Sequence, residues 1–281
     1  MMLVKMSLSI MVVFSAVVSY LLAPHVQFTW PRILLIALGG FLVTGSANAV
    51  NQVVEKDTDA LMKRTAKRPV ASGAMQAQEA WIFAVVWLVA GIFILVFYFN
   101  FTCALIALAS WFVYAYMYTP MKKVSSYSVL MGAIPGALPC LIGWAAGFPA
   151  GAEISWGGGW ALFAIQFFWQ FPHFWAIAWI AHKDYSAAGF KMLPSDAGPT
   201  KFSAIQAIIY SLLLIPAGLV PYFIDMSGYV SLWIILAANF FMVVQAIRLY
   251  VEMTSGAARR VMFSSYIHLP IVLLSLLADK V

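Results

Sequence analysis

Backbone amides and carbonyls find no partner in lipid, so a chain built from many long apolar runs can fold only as helices or as a closed barrel. This chain carries about nine such runs, each near the roughly 20 residues that a helix needs to cross a hydrocarbon core. They cover residues 6–22, 33–54, 80–98, 103–118, 129–148, 160–181, 205–223, 230–249 and 261–277, separated by short polar breaks. Of the 281 residues, 64% are hydrophobic and only 9% charged, whereas soluble domains carry about 25% charged residues. The expected fold is all-α: a polytopic membrane helical bundle of about nine transmembrane helices, formed by one domain over residues 1–281. The first run lacks an Ala-x-Ala-like cleavage site, so it is expected to remain as the first span. Cys103 and Cys140 lie inside runs without metal-like spacing and read as small packing residues.

The net charge of +6 sits in the breaks. With the N-terminus in the cytoplasm, all of the 16 Lys and Arg residues except Arg32 and Lys280 fall on the cytoplasmic side. That bias sets orientation and removes the need for a nucleic-acid partner. The loops after the second, fourth, sixth and eighth runs are therefore expected to be cytoplasmic, in a bacterial inner membrane.

The second run ends in a segment unlike the rest, "NAVNQVVEKDTDALMKRTAKRP". Asn48, Asn51, Glu55 and Asp59 are spaced three and four apart, so they line one face if the helix continues past Val54. Carboxylates and side-chain amides facing a cleft are hard ligands suited to Mg²⁺, which is commonly held by one or two carboxylates plus phosphate oxygens of the substrate. Asn51, Glu55 and Asp59 are the candidate metal set. The bases that follow, among them Lys63, Arg64 and Arg68, can grip phosphates, Arg by a bidentate fork and Lys as a point charge. A solvated loop that only sets topology would account for the bases equally well. It does not account for Asn48 and Asn51, because polar groups on a spanning helix are costly and usually face a cavity.

Two further polar elements fall on the same side. After the sixth run come His182, Lys183 and Asp184, whose "HKD" echoes the "EKD" of Glu55 to Asp57 and hints at an internal repeat. Gln170 and His173 lie well inside that run beside Pro172, which is expected to free a carbonyl and bend the helix. An intramembrane His is a functional candidate, with a hydrogen-bonded structural His as the alternative. His25 reads as interfacial and His268 as a packing residue. The third element, "YTPMKKVSSYS", brings Tyr118, Lys122 and Lys123, as helix-flanking bases or as diphosphate ligands.

An acidic and amide cluster, many bases and a greasy interior suit a substrate with a charged head and a long apolar tail, for which a polyprenyl diphosphate is the natural candidate. Mg²⁺ and the bases would stabilise charge building on the departing diphosphate. Exclusion of water would protect an allylic cation.

"NQVVEKDTDALMKRTAKRP" resembles the Asn-Asp-x-x-Asp-x-x-x-Asp signature of the UbiA-type intramembrane prenyltransferases. "YTPMKK", "GAIPGALPCLIGW", "WQFPHFWAIAW" and "KDYSAAGFKMLP" are similar to the haem-modifying branch of that superfamily, the protohaem IX farnesyltransferases, from about Lys5 to the end of the chain. Glu55 stands in the usual first Asp position, and Gln52 where Asp is common. Only Asp184 remains of the second motif's two Asp residues, a departure that the haem-modifying members share.

The resemblance implies a UbiA-type fold and farnesyl transfer from farnesyl diphosphate to a vinyl group of haem B, with hydration to haem O. It implies Asn51, Glu55, Asp59 and Asp184 as the catalytic set. It further implies Arg64, Arg68, Lys122, Lys123 and Lys183 as phosphate or propionate grips, with Asn48, Lys63, Tyr118, Gln170 and His182 around them. His173 is implied as a haem contact, either as axial ligand or as polar partner, and a haem A synthase as a neighbour in the bilayer. Prenylation of a quinone precursor or chlorin is the rival within the class. A secondary transporter is the rival outside it, and it is disfavoured because the polar residues gather at one side and not at the midplane.

Overall fold

The structure, a computed structural model, describes residues 3–24, 26, 28–195 and 197–281; the expectation for His25 lies outside them. Among the described residues the chain is all helix, apart from an isolated bridge between Ser227 and Lys280. Seven helices are long and apolar enough to cross a membrane: α2 (Trp30–Val54), α4 (Ala77–Tyr98), the continuous run Phe101–Met121, α7 (Ser128–Ala146), α10 (Lys201–Phe223), α11 (Tyr229–Glu252) and α12 (Ser255–Ala278). Two more complete the bundle, α1 (Met6–Leu22) and α8 (Gly157–Ile180). All nine expected runs thus correspond to helices, with starts up to six residues earlier where capping residues add turns, and with α7 and α8 ending one or two residues short of the expected runs. Thr200 and Thr254, for instance, accept hydrogen bonds from the amides of Ser203 and Ala257 and start α10 and α12 ahead of the apolar pattern. Short helices α3 (Lys56–Ala60) and α9 (His182–Ala187) sit in the loops.

Lipid tails are as apolar as leucine, so these helices associate by close packing and hydrogen bonding rather than by expelling water. α1 packs between α2 and α7 and also touches α12. Its approach to α7 requires Gly143, where a Cβ would lie 1.9 Å from the carbonyl oxygen of Ala16. α2 packs on α4, and α8 on α7, α10 and α12, so two helix groups flank α1.

α7 continues through Pro135 and Pro139. The carbonyl of Pro135, deprived of its amide partner by Pro139, accepts from Ser110 Oγ at 3.2 Å. α8 also passes through Pro172 as one helix over Gly157–Ile180. The run Phe101–Met121 changes character midway: α5 (Phe101–Phe112) gives way to a π-helical stretch, Val113–Tyr118, before the short α6 (Thr119–Met121). π turns recur at functional sites because the extra residue re-aims side chains.

The two ends of α1 carry opposite fittings. Lys5 precedes its first turn, and at its far end Lys280 Nζ donates to the carbonyls of Leu21 and Ala23, both at 2.8 Å. A cation there complements the negative helix end. Seventeen residues rise about 25 Å, which places Lys5 and Lys280 at opposite ends of the bundle, as the charge bias requires.

Candidate functional site

A cavity of about 680 Å³ opens inside the bundle, lined by α1, α2, the Phe101–Met121 run, α7, α8 and α12. Ligand sites commonly have roughly 300–1,000 Å³. Its deeper wall is apolar and aromatic, and its charged end is built by the loops after α2, α6 and α9.

α2 stops at Val54, and Glu55 leaves helical geometry at φ −95° and ψ 11° before α3 begins. The continuous helix expected through Asp59 is therefore broken by one residue. Even so, Asp59 amide bonds back to the Glu55 carbonyl at 2.7 Å, so the two carboxylates remain one turn apart. Both line the cavity, and both are buried.

Each acid meets a base from the sequence-predicted set. Lys122 Nζ donates to Glu55 Oε1 at 2.7 Å. Arg68 NH1 lies 2.7 and 2.6 Å from the two Asp59 oxygens, and 4.0 Å from Glu55 Oε2. Burial alone would raise the Glu55 pKa, but the charges of Lys122, Lys5 and Arg68 outweigh it and hold the carboxyl below its ordinary 4.5. The same contact keeps Lys122 above the usual lysine value despite burial. Lys122 also lies over the Tyr118 ring at 4.4 Å, and Tyr118 packs so tightly on α7 that a Cβ at Gly132 would come within 2.6 Å of it.

Three loops converge on this cluster. The amide of Lys191 donates to the carbonyl of Lys122 at 2.8 Å, and Arg64 NH2 donates to Tyr185 Oη at 2.9 Å. The π turn brings Tyr114 and Tyr118 both to the cavity, with ring centroids 5.3 Å apart.

Several expected residues lie elsewhere. Asn51 is fully buried, its Oδ1 accepting from Lys5 Nζ at 2.6 Å and its Nδ2 donating to Thr119 Oγ1 at 3.2 Å. Asn48 reaches the cavity wall but donates to the Val4 carbonyl at 3.1 Å. Lys63 and Lys123 are exposed and do not line the cavity. His182, Lys183 and Asp184 line a separate depression of about 370 Å³ with Pro199 and Ser255, so the second motif does not face the first. Asp57 is exposed.

Deep in the cavity, Gln170 donates to the Ala133 carbonyl at 2.9 Å, tying α8 to α7. His173 lines the cavity, with Nδ1 2.8 Å from Ser265 Oγ and its ring stacked on Trp169 at 4.7 Å. Ser265 spends its own proton on the Met262 carbonyl at 2.6 Å. Its oxygen must therefore accept from His173, which puts the imidazole proton on Nδ1 and leaves the Nε2 lone pair for a ligand. His268, by contrast, is buried, with Nε2 2.8 Å from Asn239 Oδ1, a hydrogen bond between α12 and α11 where a packing residue was expected. Cys103 and Cys140 are buried and free.

Five residues of this site escaped the sequence reading as site residues: Lys5, Tyr114, Gln166, Tyr185 and Ser265. Tyr114 and Gln166 lie four residues before Tyr118 and Gln170, a helical spacing that pointed to them. Lys5 was visible only as a topology charge.

Among the described residues no group of three or more His, Cys, Asp and Glu could hold a metal by itself. Two cavity-facing carboxylates, Glu55 and Asp59, fit a different mode, in which substrate oxygens complete the shell of a hard divalent cation.

Residues 12–268 match the UbiA prenyltransferase family. A protein of Cytophaga hutchinsonii named protoheme IX farnesyltransferase is 42% identical over 99% of this chain and 96% of its own length. One of the same name from Flavobacterium johnsoniae is 40% identical over 98% and 92%. Among solved structures, a digeranylgeranylglyceryl phosphate synthase superposes with a TM-score of 0.79 at 20% identity, over 99% of this chain and 96% of that one. A UbiA homologue from Archaeoglobus fulgidus bound to DMAPP and Mg²⁺ superposes with a TM-score of 0.73 at 15% identity, over 99% and 98%. The fold is the one those structures share, and by its sequence the chain belongs to the UbiA prenyltransferase family.

Proposed function

We propose that the protein transfers the farnesyl group of farnesyl diphosphate to a vinyl group of haem B, with addition of water, giving haem O and diphosphate. The observation that carries this reading is a single cavity with a buried acid and base cluster at one end and aromatic, apolar walls behind it. Relatives at 42% and 40% identity that bear the name protoheme IX farnesyltransferase support it.

In the reaction the C1–O bond of farnesyl diphosphate breaks and its electron pair leaves with the diphosphate. The vinyl π electrons form the new C–C bond, water captures the resulting cation, and one proton is released. Arg68 and Lys122 accept the developing negative charge, Arg68 by its fork and Lys122 as a point charge. Glu55 and Asp59 would hold Mg²⁺ against the diphosphate oxygens, and the ion supplies Lewis-acid stabilisation of the leaving group. Before substrate arrives, ion pairs with these acids keep Lys122 and Arg68 at the cavity wall, and the bases pass from the acids to the diphosphate when it enters. The farnesyl chain lies along the apolar wall, where exclusion of water delays capture of the cation. Tyr114 and Tyr118 present π faces to it. His173, with Nδ1–H fixed by Ser265, would turn its free Nε2 to haem B, as an iron ligand or as a polar partner of the reacting vinyl group. The charged mouth faces the cytoplasm of a bacterial inner membrane, a placement supported by the Lys and Arg bias.

The test is incubation of the purified protein with haem B, farnesyl diphosphate and Mg²⁺, read by mass spectrometry. Haem O is expected. A prenylated quinone precursor or chlorin formed in its place, or no transfer at all, would reject the reading.

A further inference from the structure

Lys5 belongs to none of the ion pairs described above. Its backbone takes φ 46° and ψ 62°, the left-handed region that a residue with a Cβ adopts only when its surroundings impose it. The surroundings here are two side-chain amides of α2. Asn48 Nδ2 donates to the Val4 carbonyl at 3.1 Å and Gln52 Nε2 to the Leu3 carbonyl at 2.9 Å, while Ser9 Oγ adds a third bond to Val4 at 2.6 Å. The Leu3 and Val4 side chains are buried beneath this turn. These two amides thus clamp the segment before α1.

The clamp delivers the Lys5 ammonium to the cavity wall, 2.6 Å from Asn51 Oδ1 and 3.5 Å from Tyr114 Oη. Among the described residues Lys122 pairs with Glu55 and Arg68 with Asp59, but no carboxylate pairs with Lys5. Even without the exposed Arg64, the cluster sets three basic side chains against two acids; burial and the charges of Arg68 and Lys122 hold the Lys5 pKa well below its ordinary 10.5, so an entering anion would supply the counter-charge that its ammonium form lacks. Asn51 is one turn ahead of Glu55, so the surplus charge sits at the acid and base end of the cavity and not at the His173 end.

Resting on the prenyl-transfer reading, we propose that Lys5 contacts the substrate directly, its ammonium binding an oxygen of the diphosphate head, and that Asn48 and Gln52 are positioning residues that hold the turn for it. The shared chemistry is that of an oxyanion, which a haem propionate also supplies. Location at the Glu55 end favours the diphosphate.

The experiment titrates inorganic diphosphate with Mg²⁺, and separately haem B, into the purified full chain and into Lys5→Met, Lys5→Arg and Asn48→Ala, with melting measured without ligand. Lys5→Met should bind diphosphate about tenfold to a hundredfold more weakly, with haem affinity and ligand-free melting unchanged. Lys5→Arg should recover most of the loss. Asn48→Ala should weaken diphosphate although Lys5 is intact. Should Lys5→Met fail to fold, Lys5→Gln replaces it with the same expectation. Unchanged diphosphate affinity in the charge-removing variants overturns the proposal, as does a loss of haem affinity in its place, which would assign Lys5 to a propionate. If the unaltered protein binds no diphosphate, the prenyl-transfer reading fails as well, an outcome distinct from failure in the variants alone.

Discussion

Lys122 Nζ sits 2.7 Å from Glu55 Oε1, and the two residues come from loops 67 positions apart. One contact therefore fixes the loop after α2 relative to the loop after α6. A buried pair that loses one partner commonly costs about 3–5 kcal/mol, so its members are both parts of the site and parts of the frame.

That pair makes stability depend on pH. The folded Glu55 carboxyl is held below its ordinary 4.5, so its contribution is complete above 4.5 and disappears as pH falls through the lowered folded value. The melting temperature of detergent-solubilised protein should fall with acidification below about pH 4.5. In Glu55→Gln the acid limb of the profile should be shallower, and the two profiles should converge at the lowest pH. Parallel profiles would contradict the assignment.

Asp59 is fully buried and shares its oxygens with Arg68. Asp59→Asn should reduce farnesyl transfer by at least about a hundredfold, in keeping with losses of transition-state electrostatics. The haem absorption spectrum should survive. Turnover near that of the unaltered enzyme at saturating Mg²⁺, measured as haem O by mass spectrometry, would remove Asp59 from the mechanism.

His173 offers Nε2 because Ser265 accepts from Nδ1. His173→Ala should shift the Soret band of bound haem, and Ser265→Ala should shift it less, through altered orientation of the ring. Spectra identical to the parent would leave His173 a structural residue.

Gly143 lets α1 approach α7 until a Cβ would meet the Ala16 oxygen at 1.9 Å. Gly143→Ala should cost about 1–3 kcal/mol, the usual range for overpacking, seen as a lower melting temperature. Gly157→Ala is the control, because its Cβ would meet nothing within 4 Å.

The bundle was readable in advance because each span has to carry its own length of apolar residues, a requirement that local sequence states directly. The cluster was partly readable for the same reason: Glu55 and Asp59 stay one turn apart, whether or not the helix breaks between them. Partners across the fold were not. Asn48 lies on the expected ligand-binding face and Gln52 where the resemblance places an Asp, yet a carbonyl of the N-terminal turn satisfies an amide as well as a ligand does, and spacing cannot distinguish the two. Likewise "HKD" echoes "EKD", but the turn from α8 into α9 aims Tyr185 at the cavity while His182, Lys183 and Asp184 line the other depression.

The wide turn at Val113–Tyr118 has a bearing on how such a protein can be altered. Excising one residue there would return the segment to ordinary winding and leave Lys122 on Glu55 and Tyr118 on Gly132, because a π turn holds one residue more than α winding without shifting the register on either side. A single-codon deletion in the preceding α5, which has no residue to spare, would instead rotate everything downstream by about 100° and carry both side chains off their partners.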